Sequence, residues 1–139
     1  MIVEDNRADI FLIRESMRSA NVDAEIVTVQ DGEKAVRVFE EADRNPSAPC
    51  PALVILDINL PKKPGSEVLQ SLRNSRRCSR ASVLVVTSSN SEEDRQEMAK
   101  LGAKDYFRKP SAYGEFMKLG NLVKKLLEQA GGHETGEAS

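Results

Sequence analysis

Residues 52–56, Ala-Leu-Val-Ile-Leu, form an unbroken apolar run that stops at Asp57. A run of that length without alternation fits a strand buried on both faces, and such strands belong to parallel sheets with helices on either side. The flanking sequence supplies those helices. Residues 1–3 (MIV) end on Glu4 and Asp5, and Asn6 can then cap a helix carrying Ile10, Ile13, Met17 and Ala20 on one face. Residues 24–29 (AEIVTV) read as a second strand, after which Asp31-Gly32 opens a helix with Ala35, Val38, Phe39 and Ala42 at helical spacing. A Pro-punctuated loop, residues 45–51, leads into the buried run. Gly65 then precedes a helix with Val68, Leu69 and Leu72, and residues 83–86 (VLVV) form a fourth strand running into Thr87, Ser88 and Ser89. Ser91 and Asp94 resemble a capping box for a polar helix ending near Leu101-Gly102. A short strand, residues 105–108, reaches Lys109-Pro110, and one long helix over residues 112–129 closes the domain.

Five β-α units with short connections make an α/β fold: an open, doubly wound five-stranded parallel sheet. The expected division is one folded domain over residues 1–130 and a disordered tail over residues 131–139, where GGHETGEAS is too polar to form a core. Twenty basic against 22 acidic residues leave a formal charge of −2, and this argues against nucleic acid as a partner because phosphate-backbone binding needs a basic excess. No apolar run reaches the roughly 18 residues that span a bilayer, and no signal peptide is visible, so no membrane partner and a cytoplasmic location are expected. Cys50 and Cys78 lie in loop-like sequence without a CxxC pattern and are expected to be free thiols. The single histidine, His133, falls in the tail, which excludes His-based zinc sites, triads and phosphohistidine chemistry on this chain.

Open parallel sheets bind ligands at the carboxyl ends of their strands. The residues there are Glu4-Asp5, Asp57, Thr87-Ser88 and Lys109. Three carboxylates in one partly buried place raise each other's pKa unless something neutralises them. A hard divalent cation with oxygen ligands does so, and Mg²⁺ is the common choice where phosphate is handled. Lys109 and the Thr87 hydroxyl can take further phosphoryl oxygens, and an aspartate can serve as the nucleophile. Singly, each residue has a plainer reading: acids after strands cap helices, Thr satisfies turns and Lys is solvated. Together, each at a strand end, they point to phosphoryl chemistry.

The segments VEDN (residues 3–6), LVILDINLP (53–61), VVTSS (85–89) and DYFRKP (105–110) resemble the receiver domain of two-component response regulators, over residues 3–127. The PKKPG turn and the longer Pro-rich loop resemble the stand-alone regulators associated with phytochrome-type kinases. The resemblance implies a flavodoxin-like (β/α)5 fold with strand order 2-1-3-4-5. It implies Asp57 as phosphoacceptor for a sensor histidine kinase, and Mg²⁺ held by Glu4 (through water), Asp5, Asp57 and the backbone carbonyl of Asn59. Lys109 and Thr87 would contact the phosphoryl group, with Ser88 the small residue that leaves the site open. Thr87 and Tyr106 would be the switch pair, and Lys109-Pro110 would be cis. Autophosphorylation and autodephosphorylation would be the only intrinsic activity, so the chain is read as a switch.

The family's first strand normally extends several residues ahead of the acidic pair, so a segment upstream of Met1 is expected. The final helix is apolar around a wide arc, and Tyr113, Met117 and Leu127 are surplus residues that suit a homodimer face. Arg73, Arg76, Arg77 and Arg80 read as a solvated loop. The alternative function is a Mg²⁺-dependent phosphatase with an aspartyl nucleophile. Such enzymes carry a second acid two residues after the nucleophile, and here that position is Asn59. A third reading, a flavin-binding or phosphorylation-incompetent module, lacks aromatic platforms in a chain only 4% aromatic.

Overall fold

In the computed structural model the elements run β1 (Ile2–Val3), α1 (Arg7–Ser19), β2 (Thr28–Val29), α2 (Gly32–Arg44), β3 (Leu53–Leu56), α3 (Gly65–Asn74), β4 (Ser82–Thr87), α4 (Glu92–Lys100), β5 (Asp105–Arg108), α5 (Tyr113–Met117) and α6 (Leu119–Ala138). The structure describes the backbone of residues 1–138 and the side chains of residues 1–130, so the tail expected at 131–139, with His133, lies outside the fully described residues. All strand pairs are parallel and the order is β2-β1-β3-β4-β5, as the resemblance implied.

The unbroken apolar runs are explained by two cores, one on each face of the sheet. Val54 and Leu56 of β3, with Val83 and Val85 of β4, point to the side of Phe39, Leu69, Leu72 and Met98 from α2, α3 and α4. Leu53, Ile55, Leu84 and Val86 point the other way, to Ile13, Met17, Phe116, Leu119 and Val123 from α1, α5 and α6. Alternate side chains of a strand take opposite faces, so both sets must be apolar. Caps behave as read: Asn6 accepts from the Asp9 N–H (3.0 Å), Asp31 from Lys34 (2.8 Å) and Ser91 from Asp94 (3.2 Å). Only half of the Ser91 capping box forms, because the Asp94 carboxylate accepts instead from the Ser89 hydroxyl at 2.7 Å.

The second strand is shorter than expected. β1 has only two residues, pairing Ile2 with Thr28 and Val3 with Val29, so most of residues 24–27 have no strand to pair with. A cavity of about 600 Å³ opens there, lined by Ile2, Met17, Ile55, Val123 and Leu127. The single final helix is in fact two, meeting at Lys118. Just beyond the break, α6 lies backbone-to-backbone on α1: a Cβ at Gly120 would stand 1.9 Å from the Ser16 carbonyl oxygen, so only glycine fits.

Three expectations are corrected. Cys50 and Cys78 are joined in a disulfide with Cα atoms 5.4 Å apart, because the fold lays the α2–β3 loop on the α3–β4 loop. Two of the arginines expected to be solvated are clamps. Arg73 donates to the carbonyls of Leu101, Gly102, Ser79 and Ala81 at 2.8–3.0 Å, closing the C-terminal end of α4. Arg77 donates to Ala42, Asn45 and Ala48 at the end of α2. Helix ends leave carbonyls without partners, and a guanidinium has five donors to offer them. Finally, no peptide is cis among the described residues, so Lys109-Pro110 is trans. Trans is the lower-energy isomer, and here Lys109 reaches the site from it.

Candidate functional site

The sheet's register brings the strand-end residues level. Beyond the strands proper, the Glu4 N–H donates to Val29 O (3.1 Å), Asp57 N–H to Val3 O (3.1 Å) and Lys109 N–H to Thr87 O (2.8 Å). Glu4 and Asp57 are buried, Asp5 is exposed, and one carboxylate oxygen from each lies within 4.8 Å of the others. The Lys109 ammonium enters this group: its Nζ is 2.6 Å from Glu4 Oε1 and 3.1 Å from Asp57 Oδ2. The other Asp57 oxygen accepts from the Ile58 N–H at 2.7 Å. Gly65 secures this strand exit. A Cβ there would be 2.5 Å from the Asp57 carbonyl oxygen, and the Gly65 N–H donates to Ile58 O at 2.7 Å.

The electrostatics follow from burial and crowding. Burial pushes the Glu4 carboxyl up to about 7, and the charge of Asp57 adds to the rise against the opposing pull of Lys109. Burial alone would lower Lys109, but its hydrogen bonds to Asp9 and Glu4 and the charge of Asp57 outweigh that and hold its pKa above the ordinary value. The cluster therefore carries more acid than one ammonium can balance, and three carboxylates with converging oxygens are a donor set suited to a hard divalent cation.

Thr87 is buried at the end of β4, and its hydroxyl oxygen accepts from the Ser89 N–H at 3.3 Å; it is not bonded to Asp57 or Lys109. Ser88 is exposed beside it, and Asn59 is exposed two residues past Asp57. Tyr106 is half-buried on β5, its hydroxyl donating to Ser89 O (3.1 Å) with the Arg95 guanidinium 5.2 Å from its ring centroid. Tyr113 stands exposed on α5, whereas Met117 and Leu127 pack against the inner core, which leaves a smaller apolar face there than expected.

One residue escaped the sequence reading. Asp9 Oδ2 is 2.8 Å from Lys109 Nζ. It sits in the first turn of α1, where acids are common for reasons of helix polarity, so nothing in the sequence set it apart.

A family model described as response regulator receiver domain matches residues 1–121. The chain belongs to the response regulator receiver family. Response regulator Rcp1 of Synechocystis sp. is 35% identical over 94 residues, 68% of this chain and 64% of Rcp1, so the match spans just under two thirds of that relative. The PhoP transcriptional regulatory protein of Bacillus subtilis is 30% identical over 79% of this chain but only 41% of its own length. Among solved structures, the Mn²⁺-bound form of Rcp1 superposes with a TM-score of 0.81 at 30% identity, covering 91% of this chain and 92% of that one. The phosphorylated cyanobacterial phytochrome response regulator RcpA gives 0.76 at 35% identity, covering 91% and 89%. The receiver fold, its strand order and the likeness to phytochrome-associated regulators thus agree with the motifs. No helix among the described residues is long and apolar enough to cross a membrane.

Proposed function

We propose that this receiver accepts a phosphoryl group onto Asp57 from a sensor histidine kinase of the phytochrome type, and that the aspartyl phosphate resets a protein-interaction face. The supporting observation is that the Lys109 ammonium and the oxygens of Glu4, Asp5 and Asp57 converge on one strand-end pocket. An Asp57 oxygen attacks phosphorus as the P–N bond of the donor phosphohistidine breaks and its electron pair returns to the imidazole. With acetyl phosphate, a P–O bond breaks and acetate leaves. Glu4, Asp5, Asp57 and the Asn59 carbonyl would hold Mg²⁺, which would offset the crowded acids and the incoming phosphoryl charge. Lys109 moves one N–H from the carboxylates to a phosphoryl oxygen, and exposed Ser88 leaves the approach open.

The phosphoryl group adds about −1.5 to −2 charge. It draws the Thr87 hydroxyl off the Ser89 N–H, and Tyr106 follows because its own hydroxyl rests on the carbonyl of that same Ser89. The response would be carried by the surface of α4, β5 and the last helices, α5 and α6. A cytoplasmic signalling role belongs to the same proposal and rests on the likeness to the phosphorylated phytochrome response regulator RcpA. A homodimer through the last helices is supported only by exposed Tyr113, and sedimentation with and without a phosphate mimic tests it.

The phosphatase alternative is not favoured, since the Asn59 amide cannot act as general acid. Incubation with acetyl phosphate and Mg²⁺ followed by intact mass tests the reading. One added phosphoryl group, absent in Asp57→Asn, is expected. Steady phosphate release from varied esters without a phosphorylated protein would reject it.

A further inference from the structure

Lys109 holds more partners than its proposed role at the phosphoryl group explains. An ammonium has three N–H donors, and here all three are taken, by Glu4 (2.6 Å), Asp9 (2.8 Å) and Asp57 (3.1 Å). Two of those acceptors belong to the trio of carboxylates whose oxygens lie within 4.8 Å of one another. Asp9 does not.

Asp9 is also spared the task its position usually carries. It is the third residue of α1, where an acid commonly reaches back to the N–H of the capping residue. That N–H, of Asn6, is already taken by Glu4 Oε2 at 3.1 Å. The Asp9 carboxylate, about one-quarter exposed, turns instead to a lysine 100 residues away.

We propose that Asp9 is a positioning residue for Lys109: it keeps one N–H bonded while the other two pass between the site's carboxylates and a phosphoryl group. The inference rests on the reading of Asp57 as phosphoacceptor. When Glu4 and Asp57 turn to a cation or to phosphorus, their hold on the ammonium weakens, and a lysine has a flexible four-carbon stem that will wander unless tethered. Asp9, outside the trio, is the partner that persists. Its contact occupies one donor and leaves two, so it fixes the ammonium without removing it from the reaction. The added negative charge costs the incoming phosphoryl little, because that carboxylate stays paired.

The test uses the full chain with Asp9→Ala, the milder Asp9→Asn, Lys109→Ala and the Asp9/Lys109 double variant, each with its melting temperature measured. The first readout needs neither metal nor phosphodonor: trace acetylation of amines by an N-hydroxysuccinimide ester, read at Lys109 by peptide mass spectrometry with exposed Lys124 as internal standard. Asp9→Ala is expected to raise Lys109 labelling at least about threefold, with Asp9→Asn between it and the native chain. The second is the initial rate of phosphoryl uptake from acetyl phosphate with Mg²⁺, expected to fall about tenfold in Asp9→Ala, since small misplacements of a catalytic group cost rates of this order. In the Lys109→Ala background, removal of Asp9 should have no further effect.

Lys109 labelling at the native rate in both Asp9 variants overturns the inference. So does an Asp9→Ala slowdown that persists undiminished without Lys109, which would mean that Asp9 acts by another route. If the native chain takes up no phosphoryl group, the phosphoacceptor reading fails, and the labelling arm alone still decides whether Asp9 tethers Lys109.

Discussion

Replacing Lys109 by Met retains most of the aliphatic stem and removes the charge, so it asks what the acid cluster tolerates by itself. The ammonium lies 2.6, 2.8 and 3.1 Å from three carboxylates, and its side chain is only 9% exposed. Removing one partner of a buried ion pair typically costs about 3–5 kcal/mol, because the remaining charge stays out of water without compensation. Part of that is relieved by protonation of Glu4, whose pKa is already about 7 with the ammonium in place and rises further without it. The full cost therefore shows only where that proton is expensive, at about pH 8 and above, where roughly 3 kcal/mol is expected. For a chain of this size each kcal/mol moves the melting temperature by about 3–5 °C, so a drop of about 10 °C in chelator is predicted at pH 8.

A dication supplies the missing charge. Mg²⁺ at about 100 times its Kd contributes about 2.7 kcal/mol, and it should recover more of the melting temperature in Lys109→Met than it adds to the native chain, because no ammonium competes for the same oxygens. Calorimetric melts of both proteins, in chelator and in excess Mg²⁺, measure this. A variant melting within about 2 °C of the native chain in chelator at pH 8, or one stabilised less by Mg²⁺ than the native chain, would refute the picture of acids held together by one cation.

Because the folded-state pKa of Glu4 lies near 7, above the ordinary 4.5, the folded chain keeps a proton that the unfolded chain has released between those values. Metal-free stability should thus fall as pH rises through that window, and melts at about pH 5 and about pH 7.5 should show it, with Mg²⁺ adding more at the higher pH. Arg73→Met strips four carbonyls of their donor and should cost about 2–3 kcal/mol in denaturant unfolding with little change in phosphoryl uptake, since it lies far from Asp57. Reduction of Cys50–Cys78, which are 28 residues apart, should cost roughly 3 kcal/mol, read as a lower melting temperature in dithiothreitol that Cys50→Ser reproduces. Gly65→Ala places a carbon 2.5 Å from the Asp57 carbonyl oxygen and should lower stability by about 1–3 kcal/mol together with the rate of phosphoryl uptake.

What the sequence discloses is what repeats or what must sit at a strand end. The apolar run before Asp57 announces a two-sided strand; Glu4, Asp5 and Thr87 are legible because each ends such a run, and Lys109 because it ends the short strand of residues 105–108. What it hides depends on contacts between distant loops. Cys50 and Cys78 give no spacing signal, and only the packing of the α2–β3 loop on the α3–β4 loop joins them. Arg73 and Arg77 look like surface charge until helix ends are brought to them. Asp9 looks like any acid in a first turn, because its partner arrives from β5. The break at Lys118 is invisible for a related reason: both sides keep helical periodicity, and only the approach of α6 to the Ser16 backbone marks Gly120 as special.

The distribution of these contacts bears on how a local charge could reach a distant face. The end of the sheet away from Asp57 is fastened by a disulfide, by Asp43 accepting from Ser75 and from the N–H groups of Arg76 and Arg77, and by the two arginine clamps. The β4–α4 loop is held differently. Ser89 alone receives Thr87 and Tyr106: its N–H donates to the Thr87 hydroxyl, its carbonyl accepts from the Tyr106 hydroxyl, and its own hydroxyl donates to Asp94 of α4. On the proposed reading, drawing Thr87 toward a phosphoryl group strips Ser89 of one bond and loosens the seat of Tyr106 in the same step. A fastened far end gives this loop something rigid to move against, so on that reading the coupling between Asp57 and the face of α4, β5 and the last helices would run through a single residue, Ser89, which holds a fourth bond from the Ser91 N–H to its hydroxyl.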